Sequence, residues 1–231
     1  MKSRPLALLL GLSTILIACQ PGGGGTPSSG GTLRIEGWPS GQSGRIEFFL
    51  AGSSTPFAQS NVDANGNTTY NLPTPAPNTL APLNPSVPSG CTGTVNANPT
   101  NANTSLFVSI LAYLGGSNSP SGTVIAASRA PSSNLGQQQG DKVGLLLYLD
   151  RDVSISGNTS CPASGSSPAT STSFNINFKQ GWNYLILSTQ AASSSSIQQQ
   201  ATASTSLPPD LRWYYSAGIS GTSLTTPLWL R

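Results

Sequence analysis

Histidine is absent from this 231-residue chain, and only 7% of its residues are Asp, Glu, Lys or Arg, against about 25% in an ordinary globular protein. Without histidine there is no imidazole base, no imidazole metal ligand and no His-ligated haem. The 10 basic residues are scattered, so the basic stripe that holds a phosphate backbone is missing and no nucleic-acid partner is expected. Cysteine is scarce, with only Cys19, Cys91 and Cys161. No apolar run reaches the ~20 residues of a membrane-spanning helix. What is present is neutral polarity: Ser, Thr, Asn and Gln make up roughly 37% of the chain. The apolar share is an ordinary 36%. Such a chain can bury a core but has few charges with which to do chemistry.

The N-terminus carries Lys2 and Arg4, then an apolar run from Leu6 to Ala18. This is the order of a signal peptide's basic and apolar regions. The run ends Leu16-Ile17-Ala18-Cys19, which resembles the bacterial lipobox. The resemblance implies diacylglycerol on the Cys19 thiol and cleavage just before it. It also implies an exported, membrane-anchored lipoprotein at the outer membrane or cell surface, with membrane lipid as a partner through acylated Cys19. Cleavage removes Lys2 and Arg4 and leaves 8 basic and 7 acidic side chains, close to neutrality once the C-terminal carboxylate is counted. The Gly- and Ser-rich stretch that follows reads as a flexible tether. The expected organisation is a signal peptide over 1–18, lipidated Cys19 and tether over 19–32, and a single domain over 33–231.

With Cys19 assigned to lipid, Cys91 and Cys161 remain as an even pair in an exported chain. They are predicted to form a disulfide tying two loops.

Period-2 alternation dominates from residue 32 onward and no helix is expected. Strands are predicted over 32–38, 45–50, 68–72, 104–114, 123–129, 143–150, 153–156, 171–178, 182–189 and 211–217. In 173–179, Phe174, Ile176 and Phe178 alternate with Ser and Asn. Residues 143–149 are almost wholly apolar, as in a central strand covered on both faces. About ten short strands separated by turns predict an all-β fold, a β-sandwich of prealbumin-like or Ig-like type. Two long polar loops are expected, over 73–103 and 191–210. A direct hairpin of 32–38 with 45–50 would place Arg34 opposite Glu47 and Glu36 opposite Arg45. The competing arrangement puts these strands in different sheets.

The segments Gly31-Thr32-Leu33-Arg34-Ile35-Glu36-Gly37, Arg45-Ile46-Glu47-Phe48-Phe49 and Asp63-Ala64-Asn65-Gly66-Asn67-Thr68-Thr69-Tyr70-Asn71-Leu72-Pro73 resemble the carboxypeptidase-regulatory, prealbumin-like β-sandwich repeat. That likeness covers about 45 residues, and the family has one residue where Asn67-Thr68-Thr69 intervene here. Segments 147–153 and 178–183 are similar to uncharacterised lipoproteins of Deinococcus-type bacteria. The resemblance implies a noncatalytic accessory or surface module and transfers no site residue.

Candidate chemistry is sparse. A serine nucleophile needs a base, and neither Lys142 nor Lys179 has Ser three residues before it. Asp150 and Asp152 flank Arg151 and read as a strand-end turn, with a glycosidase pair as the catalytic alternative. Asp63 and Asn65 have the opening spacing of a Ca²⁺ loop but lack its closing Glu. With Asp150 and Asp152 they are the weak metal candidates, and no cofactor is expected. Trp38, Trp182, Trp213 and Tyr215 are possible ligand contacts, because exposed rings stack on sugars; core packing is the competing role. The functional expectation is a noncatalytic binding or structural module of the cell envelope, partnered by an envelope protein or glycan. A carbohydrate-binding module is the alternative, and a hydrolase the second.

Overall fold

The computed structural model describes residues 30–217 apart from 106, 107, 133 and 166. The chain is nearly all β. The strands are β1 (Gly30–Glu36), β2 (Gly44–Leu50), β3 (Ala58–Val62), β4 (Asn67–Asn71), β5 (Ala81–Pro82), β6 (Thr92–Asn98), β7 (Asn103–Thr104) and β8 (Val108–Leu114). They continue as β9 (Gly122–Ala127), β10 (Lys142–Leu149), β11 (Val153–Cys161), β12 (Ala169–Phe178), β13 (Gly181–Ala192), β14 (Ser196–Ser204) and β15 (Arg212–Ala217).

Seven of these close on themselves, in the order β15-β1-β4-β3-β2-β8-β9 and back to β15. Closure removes sheet edges from this part of the molecule. β9 is the junction. One of its edges pairs with β15 along its whole length, and the other is shared between β8 and β10. All six of its residues are buried as a result. From β10 the sheet runs on through β13, β14, β12 and β11 to β6.

Two apolar clusters fill this framework. One holds Ile35, Ile46, Phe48, Val62, Ile110, Ala112 and Trp213 from the ring, with Leu146, Tyr184 and Ile186 from the adjoining sheet. The other holds Val143, Leu145, Leu147, Leu149 and Leu185 against Ile155, Phe174, Ile176 and Phe178. β10 and β13 therefore feed one core with alternate residues and the second core with the rest. This is why 143–149 is apolar throughout. Each fully buried Leu, Ile or Phe contributes about 1.5–3 kcal/mol.

All ten predicted strand segments contain strands. Five further strands, β3, β5, β6, β7 and β14, lie among the described residues. The expected long polar loops over 73–103 and 191–210 are corrected by β6 and β14. β14 buries only Ile197 and Ala201 and shows Ser and Gln elsewhere. β6 has no fully buried residue. Strands with so few inward apolar side chains carry little period-2 signal. Their pairing is held by backbone hydrogen bonds to β11, β12 and β13.

β1 and β2 form neither a direct hairpin nor parts of different sheets: both belong to one continuous sheet without pairing each other. β1 pairs with β4 and, in parallel, with β15, while β2 lies between β3 and β8. Arg34 therefore faces Asn67 instead of Glu47. β1 begins at Gly30, inside the expected 19–32 tether, and Gly30 lies opposite Asn71. A Cβ at Gly30 would come within 2.3 Å of the Tyr70 carbonyl oxygen, so glycine there permits the pairing instead of marking a linker.

Candidate functional site

The aromatic candidates lie in the first apolar cluster or at its rim. Trp38, Trp182 and Trp213 are 8%, 3% and 2% exposed. The Trp38 indole donates to the Gln42 carbonyl at 2.7 Å, and its ring meets Tyr215 edge-on at 5.5 Å. Trp182 stacks on Phe57 at 5.5 Å and donates to the Pro73 carbonyl at 3.2 Å. Trp213 packs against Phe48 and Tyr70. The Tyr215 hydroxyl donates to the Ser121 carbonyl at 2.9 Å. Of the two expected roles, the burial of Trp38, Trp182 and Trp213 fits core packing and not a sugar-stacking platform. Closing the ring of strands creates an interior wide enough to need large side chains, and these fill it. Trp229 lies outside the described residues.

The acids are occupied locally. Asp141 is almost fully buried and accepts from Arg129 Nε at 2.6 Å and Nη2 at 2.9 Å, and from the Gly136 and Gln138 amides. The Arg129 bond, helped by the two amides, holds its carboxyl below the usual range against the opposing effect of burial. Glu47 takes the Arg45 guanidinium at 2.7 Å, two residues along the same strand. Asp210 pairs with Lys142.

The 150–152 segment differs from its expected form. Of the two acids Arg151 bonds Asp150, and it also donates to the Asn101 side chain at 3.2 Å, whereas Asp152 pairs with Lys179 at 2.8 Å and accepts the Gln180 amide. Asp150 is raised by burial, but bonds from Arg151 and Asn103 bring it below the ordinary value. Asp152 is lowered first by Lys179. Each carboxylate thus has its own cation, and the pair does not act as a proton-sharing dyad. Both acids lie in the bend between β10 and β11, outside either strand.

Asp63 closes its own turn. It accepts from the amides of Asn65 and Asn67, each at 2.8 Å, and from the Asn67 side chain at 3.0 Å. The Asn67 side chain, followed by its backbone amide, lowers the Asp63 pKa. Gly66 supplies the positive φ of 82° that this turn needs. Both oxygens of Asp63 are thereby engaged. Among the described residues no three Cys, Asp or Glu side chains converge on a metal-sized site. Asp63, Asn65, Asp150 and Asp152, the weak metal candidates, lie in turns, with Asp150 and Asp152 in ion pairs.

Cys91 and Cys161 are bonded. They join strand ends, not two loops. β6 and β11 pair with Thr92 opposite Ser160, and the next step of that register sets Cys91 opposite Cys161. Their Cα atoms are 4.3 Å apart, near the spacing of a non-hydrogen-bonded antiparallel pair. Cys19 lies outside the described residues.

One concave feature was missed. A notch of about 320 Å³ is lined by Arg34, Trp38, Ser40, Ala64, Asn65 and Asn67. Its walls are two turns clasped by the Gly41 amide on the Ala64 carbonyl at 3.1 Å and the Ile35 amide on the Gly66 carbonyl at 2.8 Å. The hairpin weighed for Arg34 puts Glu47 opposite it, and the competing arrangement names no partner. No single-strand pattern reports which strand lies opposite.

No protein-family model, no curated protein and no solved structure matches the chain.

Proposed function

We propose that the chain is a lipid-anchored cell-envelope protein that works as a noncatalytic binding or structural module at the outer membrane or cell surface. The observation that carries this reading is the Cys91–Cys161 bridge, on a chain whose start resembles a lipoprotein signal ending at Cys19. Such bonds persist in oxidising compartments outside the cytoplasm. Acylation at Cys19 would hold the molecule there, with more than one chain giving a stable anchor. The noncatalytic part is supported by the private ion pairs of Glu47, Asp141, Asp150, Asp152 and Asp210. A general acid or base must be free to exchange its proton with a substrate.

The two layers around the second core, β10–β13 against β11–β12, support reading that half as a β-sandwich of prealbumin-like or Ig-like type. The test of the anchor is Cys19→Ser followed by membrane fractionation and intact mass. The variant is expected to leave the membrane pellet and to lack the acyl mass increment. Unchanged fractionation would remove the proposal.

A further inference from the structure

We propose that the notch between β1, the turn after Trp38 and the Asp63–Gly66 turn binds a carboxylate-bearing sugar, such as a uronic acid unit of an acidic glycan. Arg34 is exposed and, among the described residues, makes no ion pair. Among the described residues, Lys142, Lys179 and the arginines at 45, 129 and 151 are held by acids, and Arg212 donates to the Pro209 carbonyl. Arg34 thus brings a free planar fork to a concave site, and that fork matches a carboxylate in two parallel hydrogen bonds.

The rest of the lining is neutral and polar. Asn67 stands directly across from Arg34 in the β1–β4 register. Its amide nitrogen is fixed on Asp63, which leaves its Oδ1 as an oriented acceptor. Ser40 and Asn65 are exposed on the two clasped turns and can both donate and accept. This pattern suits ring hydroxyls beside one negative charge.

The charge count selects within the anions. No second cation lines the notch, so a doubly charged phosphate would be only half compensated. The lining offers few apolar atoms apart from Ala64 and the edge of Trp38, so an acidic peptide would find hydrogen-bonding groups without a seat for its side chains. The walls are cross-bonded backbone, so little ordering is needed on binding. The site also lies on a part of the fold independent of Cys19, and its test needs no membrane.

The experiment is an NMR titration of the full-length chain with a galacturonic acid tetramer. A galactose tetramer, a tetraglutamate peptide and inorganic phosphate are the comparison probes. Shifts at the amides of Arg34, Ser40, Asn65 and Asn67 are expected with the uronate alone. They should weaken as salt is raised, because the pair is exposed. Arg34→Gln should weaken binding at least about tenfold, the scale of a charge-assisted hydrogen bond. Ser40→Asp sets a negative charge on the rim and should do the same by repulsion. Unchanged thermal unfolding of both exposed-site variants will show that they are folded. Equal response to the neutral tetramer, the peptide or phosphate overturns the assignment. So does undiminished binding by Arg34→Gln, or no shift up to about 10 mM uronate, where even a weak millimolar site is well occupied.

Discussion

Replacing either half of the Cys91–Cys161 bridge with serine removes the same covalent link. The sequence separation is 70, so the closed loop holds 71 residues. The chain-entropy relation then gives about 4.4 kcal/mol at 25 °C as the most the bond contributes through the unfolded state. The structure argues for somewhat less. β6 remains zipped to β11 from Ser160–Thr92 to Ser154–Asn98 when the bond is lost, so the folded state frays only at one end. We expect a loss of about 2–4 kcal/mol. Cys91→Ser, Cys161→Ser and the double variant should agree within about 0.5 kcal/mol, because the second substitution has nothing left to remove. Urea unfolding followed by tryptophan fluorescence gives the values, with the slope checked for constancy. Hydrogen exchange should quicken first at Thr92 and Thr94. Two results would refute the reasoning: single variants that differ clearly, or a double variant that loses twice what each single one loses.

Two further expectations follow from the charge and turn geometry. Asp63, Asp141, Asp150, Asp152 and Asp210 all titrate lower in the folded protein than in a free chain. Below the free-carboxylate value of about 4 the unfolded chain therefore binds more protons. Their stabilisation is complete above that value and is lost as pH falls through the lower folded values. No histidine titrates between pH ~5 and ~8, so the urea midpoint should be flat there and drop only in acid. A slope across the neutral range would contradict this, and Asp141→Asn should flatten the acid limb. Separately, Gly66→Ala should destabilise by more than about 1 kcal/mol. Its φ is +82°, and a Cβ would sit 2.8 Å from the Ile35 carbonyl oxygen and 2.9 Å from Trp38 Cβ. Wild-type stability in that variant would mean the turn is looser than described.

Legibility in the sequence followed apolar content. Phe174, Ile176 and Phe178 face the core as their alternation required. The unbroken run Val143–Leu149 sits between two cores for the reason anticipated. β14 and β6 escaped notice because their partners, not their own side chains, make them strands. The Asp63 turn was readable from Asn65-Gly66, since few other dipeptides tolerate that backbone. The aromatic residues were visible, but their burial was not. A tryptophan carries the same letters whether it fills a barrel or faces a sugar.

Sequence alone settled the β class, the scarcity of charge and the absence of imidazole chemistry. These depend on composition and on local period, which need no partner strand. The tertiary structure decided what each charge and ring confronts. Closing β15 onto β9 turned Trp213 inward. Inserting β4 beside β1 parted Arg34 from Glu47 and set it against Asn67. Strand order is a long-range choice, made by the summed burial of many side chains and by backbone pairing across distant segments. No short stretch of residues encodes it, and here it placed the exposed Arg34 guanidinium in a neutral polar notch.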